Sequence, residues 1–351
     1  MLNVLTEQLR RRENLTEEQV RDAIAQLTAE SVTVETKADF LTALAQKGEA
    51  TEEIANFARH LRELSIQPPL DAETRAREIL DVCGTGGDKL NTFNISTTVA
   101  LVCASGGVTV AKHGNRAITS QSGSADVLET LGIRIDFTPE EAARSLKEHH
   151  FAFFFAQKYH PAFKNIGPAR KLCAERGQRT IFNFLGPLMN PVRPSAQLIG
   201  VPRPQLCEPM ARVLQSLGIR RGMVVTGQVP VPGQPSPAHL DEFSTLGETT
   251  VAEFYHDRGF TTSSLSPENY PLQSATLADL AGGDKEANAT LVRRVLAGAE
   301  RGPKRDAVLL NAGAALFVAG KVKSITEGWE LAANLIDGGR ATAQLKALSG
   351  R

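Results

Sequence analysis

Residues 79–104 read ILDVCGTGGDKLNTFNISTTVALVCA, and this stretch sets the architecture. The apolar run Ile79–Val82 has strand length and is cut off by the glycine loop Cys83-Gly84-Thr85-Gly86-Gly87-Asp88. Asn94-Ile95-Ser96-Thr97 then opens a helix that Val99–Ala104 continues. Three glycines let the backbone come close to a ligand and take positive φ, so amide N–H groups can point at an anion. Asn94, Ser96 and Thr97 add side-chain donors near the helix start, where the helix dipole also favours negative charge. The spacing is neither the GxxxxGK[ST] loop nor the GxGxxG fingerprint. A bare glycine turn is often only structural; the Asn-Ile-Ser-Thr run beside it tips the reading to an anion site.

Working outward, apolar runs at Val108–Ala111, Ile133–Phe137, Phe151–Ala156, Leu198–Val201 and Met223–Thr226 read as further strands, with helices between them. The triple Phe153-Phe154-Phe155 is better explained by a strand buried on both faces than by a cofactor box. The fold class is therefore α/β: a mostly parallel central sheet flanked by helices, beside a smaller all-helical domain. The helical domain spans residues 1–70, joined by helices around 165–190. Its signals are the capping box Thr16/Gln19, the stripe Ile54, Phe57, Ala58 and Leu61, and the stop at Gly48. Pro68-Pro69 marks a hinge, and residues 75–165 and 190–351 form the α/β domain. The Pro-rich segment Val229–Ala238 reads as an exposed loop, and helices close the chain from Asp306 onward. The sequence has no internal repeat.

Composition narrows the function. The 351 residues are 42% hydrophobic and 22% charged, with 39 basic residues against 39 acidic ones. Such balance argues against nucleic acid as a partner. No signal-peptide core or membrane-length apolar run occurs, so the expectation is a cytoplasmic protein without membrane partners. Cys83, Cys103, Cys173 and Cys207 are too far apart for a CxxC motif and read as reduced thiols.

Three other groups carry chemistry. Lys112-His113-Gly114-Asn115-Arg116 directly follows the second strand, and Ser120 and Ser124 come shortly after. Ligands bind at strand C-termini in open α/β sheets, so this density of donors suggests a phosphate site with Lys112 as a point charge. Asp241-Glu242 would be surface charge if taken alone. Facing a phosphate loop, the pair becomes an anchor for Mg²⁺, which takes a few carboxylates plus phosphate oxygens and water. Arg170 has the fork geometry to hold a carboxylate, but residue chemistry alone leaves it undecided.

Together these stretches resemble the anthranilate phosphoribosyltransferase family. GTGGD…TFNIST, KHGNR, SGSADVLE, HPAFK, RTIFNFLGPLMNP and LDE carry the likeness over nearly the whole chain. The resemblance implies transfer of the phosphoribosyl group of 5-phosphoribosyl 1-diphosphate to the amino group of anthranilate, in tryptophan biosynthesis. It also implies an active site in the cleft between the domains and a homodimer formed through the helical domain. By position, Gly84, Gly87, Asp88, Thr92, Asn94, Ile95, Ser96, Thr97, Lys112 and Ser124 would bind the diphosphate substrate. His113, Gly114, Asn115, Arg116 and Ser120 complete that set. Ser96, Asp241 and Glu242 would hold magnesium, and Gly84, Asn115 and Arg170 would contact anthranilate. Lys112 is the expected catalytic cation and His113 the candidate proton acceptor. The chain departs from the family pattern in a longer Arg170–Arg179 spacing, in Thr226-Gly227 where His-Gly is usual, in the Pro-rich insertion, and in His239 before Leu-Asp-Glu. Two rival readings are a pyrimidine-nucleoside phosphorylase-like enzyme, which would not need the Asp-Glu pair, and a non-catalytic nucleic-acid-binding relative, which would need a basic surface.

Overall fold

The computed structural model describes residues 1–117, 121–231, 233–256 and 259–350. Four helices open the chain: α1 (Leu2–Arg10), α2 (Glu17–Thr28), α3 (Val34–Lys47) and α4 (Thr51–Glu63). Thr16 and Gln19 form the reciprocal capping box that starts α2, and Gly48, at φ +89°, ends α3. The bundle closes on the helix Gly167–Glu175 and the turn before it. Lys37 Nζ donates to the Asn165 carbonyl (2.9 Å), and Asn165 Nδ2 donates to the Thr28 carbonyl (2.8 Å).

Among the described residues eight strands follow: β1 (Ile79–Gly84), β2 (Thr109–Gly114), β3 (Phe151–Phe155), β4 (Ala196–Gly200), β5 (Arg221–Val229), β6 (Ala238–Leu240), β7 (Thr249–Tyr255) and β8 (Thr261–Leu265). The sheet order is β3-β2-β1-β4-β5-β7-β8, with β6 paired to β5. The first five are parallel, and β6, β7 and β8 extend the sheet antiparallel. From β1 the chain winds to one side through β2 and β3, and from β4 to the other through β5. The C-terminal ends of β1 and β4 therefore flank a topological switch point, where α/β sheets open a crevice.

One face of the sheet packs under the helices Ile95–Ser105 and Pro303–Val318. The other is continuous with the bundle: Ile199, Val224, Ala252 and Phe254 share a core with Phe40, Phe57 and Leu61, through the helix Cys207–Ser216. Burying the bundle's apolar stripe against the sheet is what couples the two regions.

Two readings of the sequence need correction. Ile133–Phe137 is an irregular connection, not a strand; Ile133 and Ile135 are buried, but they anchor a link between the helices Ser124–Thr130 and Pro139–His149. The amide of Ile133 bonds back to the Leu128 carbonyl (2.9 Å), which satisfies it locally and away from any strand edge. Lys112 and His113 lie inside β2 instead of following it, paired with Phe153 and Phe154 of β3. The strand Thr261–Leu265 has no apolar pattern to reveal it, since four of its residues are exposed Thr or Ser. The Pro-rich segment is the loop of the β5–β6 hairpin, where Val229 pairs with Ala238.

Candidate active site

Glycine shapes the crevice. Gly84 and Gly200 are direct neighbours across β1 and β4, and together they leave a notch at the switch point. A Cβ on Gly84 would overlap the Asp241 carboxylate, one on Gly200 the Asp241 backbone carbonyl, and one on Gly227 the backbone of Ser244. Residues 241–244 can therefore lie across the strand ends only because these positions have no side chain. Asn311, buried on the helix Pro303–Val318, locks them there: its Oδ1 accepts from the Phe243 amide (2.9 Å) and its Nδ2 donates to the Phe243 carbonyl (3.0 Å).

The glycine loop closes over this segment. Gly86 and Gly87 have φ of +75° and +89°, a region costly for any side chain, and Gly86 N–H donates to Asp241 Oδ2 (2.6 Å). Lys89 and Asn91 also have positive φ, the kind of backbone strain that concentrates at ligand-binding loops. Asp88 adds a carboxylate beside Asp241. Glu242 Oε1 accepts from the Ser96 amide (3.2 Å) at the start of the helix Ile95–Ser105. Beneath them Lys112, only 1% exposed, donates to the Val82 carbonyl (2.6 Å) and approaches Ser96 Oγ (3.3 Å).

Burial dominates the electrostatics. It drives the Asp241 carboxyl well above the ordinary carboxylate range, helped by Asp88 and Glu242, and it pushes Glu242 up to about 8. It also lowers the Lys112 ammonium. Burial and mutual repulsion among Asp88, Asp241 and Glu242 disfavour ionisation of Asp241 and Glu242, with Lys112 partly offsetting this at Glu242; a divalent ion would favour the ionised pair. Among the described residues no group of three or more His, Cys, Asp or Glu side chains is arranged to hold a metal by itself. Two buried carboxylates that leave coordination positions to phosphate oxygens and water suit Mg²⁺.

The remaining expected residues divide clearly. Ile95 and Thr97 are 1% exposed, so the Ile95 side chain belongs to the core and only its backbone faces the loop. Thr92 forms a bridge with Ala281. The Asn115 carbonyl accepts from the Ala125 amide (3.3 Å), and Ser124 Oγ lies 3.4 Å from it. Gly114 leaves room for Ser124, since a Cβ there would overlap that hydroxyl. Arg116 is committed to Asp126 and Glu129 at 3.0 and 2.9 Å. Ser120 lies outside the described residues.

His113 is buried, and its Nε2 faces His160 Nε2 at 3.1 Å. Burial pushes the two rings down to about 3 and about 4. From this pair an aromatic ladder runs outward: His160 stacks on Phe163 (5.2 Å), Phe163 meets Phe182 edge-on (5.6 Å), and the Arg170 guanidinium lies 5.1 Å over Phe182. Arg170 is half-buried and makes no ion pair among the described residues; burial alone lowers its pKa. A planar guanidinium stacked on an aromatic ring keeps its fork of donors free for a bidentate acceptor.

Sequence reading missed the supports. Asp81, fully buried in β1 and pushed up to about 6 by burial, accepts from the His113 amide (3.4 Å) and from Asn190 Nδ2 (3.0 Å). Asn190 also donates to the Ala111 carbonyl (2.7 Å), tying the RTIFNFLGPLMNP stretch to β2. A carboxylate inside the apolar run ILDV was the available signal. Asn190, Asn288 and Asn311 offered none, because a lone amide looks the same buried or exposed.

Comparison with known proteins gives the family. A family model described as the glycosyl transferase family a/b domain matches residues 76–342, and one described as that family's helical bundle domain matches 4–65. The anthranilate phosphoribosyltransferase of Lacticaseibacillus casei is 45% identical over 99% of this chain and 96% of its own length; that of Geobacter sulfurreducens is 44% identical over 95% of each. Among solved structures, the Thermus thermophilus enzyme superposes with a TM-score of 0.87 at 41% identity, covering 99% of this chain and 98% of that one. The Saccharomyces cerevisiae enzyme in complex with PRPP and Mg gives 0.84 at 27% identity, covering 99% and 97%. With nearly its whole length and its fold matched in this way, the chain belongs to the anthranilate phosphoribosyltransferase family.

Proposed function

We infer that the two walls of the crevice divide the family's pentosyl transfer between them. The reaction joins the amino nitrogen of anthranilate to the phosphoribosyl group of 5-phosphoribosyl 1-diphosphate: the new C–N bond forms at the anomeric carbon as the C–O bond to diphosphate breaks, and the nitrogen's surplus proton passes to water or to the departing diphosphate. The transition state resembles a ribosyl cation, so the task is to stabilise the departing diphosphate. The glycine-loop amides, the start of the helix Ile95–Ser105 and the side chains of Asn94 and Ser96 cradle the phosphates. Lys112 supplies positive potential from below. Asp241 and Glu242, with Ser96, hold Mg²⁺, which when bound neutralises diphosphate oxygens. Arg170 takes the anthranilate carboxylate, Asn115 is the second contact, and orientation of the bound amine removes on the order of 7–11 kcal/mol of barrier. The amine is neutral near pH 7 and needs no strong base. His113, turned toward His160, acts as a support for this wall.

The observation that carries this reading is the buried Asp241–Glu242 pair lodged against a glycine loop at the strand ends. A phosphorylase using free phosphate has no use for that pair. The test is the loss of anthranilate fluorescence in the presence of PRPP. Decay that needs magnesium and collapses in the Asp241→Ala/Glu242→Ala variant is the expected result; decay indifferent to metal would overturn the metal assignment.

The reading extends to assembly and place. No helix among the described residues is long and apolar enough to cross a membrane, and all four cysteines are unpaired, which supports a cytoplasmic enzyme. The exposed large hydrophobics Met1, Val4, Leu64 and Ile66 all lie in the helical region, which supports a homodimer through it. Val4→Glu should then sediment as a monomer, while an unchanged dimer would exclude α1 from the contact.

A further inference from the structure

The second half of the phosphate loop is held from outside by a segment that sequence reading passed over, Leu280–Asn288. The Phe93 amide donates to the Leu280 carbonyl (3.1 Å), the Gly282 amide donates to the Asn91 carbonyl (2.9 Å), and Thr92 bridges to Ala281. A Cβ on Gly282 would lie 2.9 Å from both Phe93 Cα and the Thr92 carbonyl oxygen, so glycine permits this approach. Asn288 follows on the helix Lys285–Leu296, 3% exposed.

Its amide is pinned at both ends. The Gly283 N–H donates to Asn288 Oδ1 (2.8 Å), and Asn288 Nδ2 donates to the Gly283 carbonyl (3.1 Å). A backbone N–H can only donate and a backbone carbonyl can only accept, so the orientation of this amide is not a free choice. The other Nδ2 hydrogen goes to Asn94 Oδ1 (2.9 Å). Asn94 must then turn its own NH₂ group the opposite way, where Nδ2 reaches the Ser122 carbonyl (3.3 Å), again an obligatory acceptor. The chain of bonds from Gly283 to Ser122 thus has one polarity, fixed by backbone groups at each end. Asn94 caps the helix Ile95–Ser105 beside the glycine loop, so its remaining N–H is a donor offered to the anion site.

We propose that Asn288 is a positioning residue that sets the polarity of Asn94, making it a donor to a phosphate oxygen of the diphosphate substrate. The proposal rests on the assignment of Asn94 to that substrate. Without Asn288, only the 3.3 Å bond to the Ser122 carbonyl holds the Asn94 amide, so the flip that presents its carbonyl oxygen to phosphate, which repels it, becomes less costly. An acid at 288 goes further, since a carboxylate accepts from Asn94 Nδ2 and selects the wrong orientation.

The experiment compares Asn288→Ala, Asn288→Asp, Asn94→Ala and the double variant Asn94→Ala/Asn288→Asp, with KM measured for each substrate and PRPP binding measured directly by calorimetry. Asn288→Asp should raise KM for PRPP about 10-fold to 100-fold, the range expected for a lost hydrogen bond to a charged group. Asn288→Ala should raise it less, and KM for anthranilate should stay within about 2-fold in both. On the Asn94→Ala background, Asn288→Asp should add nothing. Equal effects of Ala and Asp on both substrates, or full additivity in the double variant, would show a merely structural Asn288 and overturn the proposal. Normal PRPP binding by Asn94→Ala would instead overturn the assignment beneath it, a separate and distinguishable failure.

Discussion

The two walls of the crevice are built on opposite electrostatic plans. The phosphate wall crowds Asp88, Asp241 and Glu242 near a buried Lys112, with glycines keeping side chains out of the path of residues 241–244 and backbone amides donating to Asp241 and Glu242. The aromatic wall holds one open guanidinium, Arg170, on a ladder of rings that ends in two buried histidines. One wall crowds carboxyls that burial and mutual repulsion hold toward the neutral form, and the other, among the described residues, gives a guanidinium no ion-pair partner. On the proposed function, each is incomplete in the way its ligand would complete, the first by a divalent cation with diphosphate and the second by a carboxylate. The cost of each incompleteness is part of the site's design, since groups preorganised for a ligand are not relaxed without it.

The largest break in the comparison is Gly84→Ala. Its Cβ would displace the Asp241 carboxylate while leaving the aromatic wall untouched. The expected loss in kcat/KM is on the order of 10²–10³, typical of removing one preorganised electrostatic group, with the far-UV circular dichroism unchanged. Near-normal turnover would mean that Asp241 need not sit in the notch.

A smaller effect sharpens the contrast through pH. The Glu242 carboxyl is higher in the folded protein, about 8, than its ordinary 4.5. The stability it contributes is full below 4.5 and is lost as pH rises through about 8. His113 runs the other way: with its ring pushed down from 6.5 to about 3, stability is full above 6.5 and falls as pH drops toward 3. Glu242→Gln should therefore melt a few °C higher than the parent at pH 8 without ligand, and match it near pH 5. A lower melting point at pH 8 would show that Glu242 stabilises the free fold.

Much of the phosphate wall was legible because its chemistry is written in consecutive residues. GTGGD and NIST carry their own reasons, the first in glycine's positive φ and the second in helix-start donors, and the structure brings both onto Asp241 and Glu242. The aromatic wall was far less legible. Arg170 gains meaning only from Phe182, 12 positions later, and from Phe163 and His160, which precede it on another turn. The strand expected at Ile133–Phe137 failed because periodicity reports burial, not pairing; both isoleucines are buried, yet their backbone has no strand edge to meet. Lys112 was foreseen as a cation following a strand. Being inside the strand instead, it is covered by the helix above, a placement that depends on register and not on composition.

The central claim is that the walls act on different substrates, and steady-state kinetics with both substrates varied tests it most directly on Arg170→Ala and Glu242→Gln. The account predicts a crossed pattern: Arg170→Ala raises KM for anthranilate by about 10-fold to 100-fold with KM for PRPP nearly unchanged. Glu242→Gln should instead weaken PRPP use and its magnesium dependence while sparing KM for anthranilate. Both variants raising the same KM would contradict the division of labour between the walls.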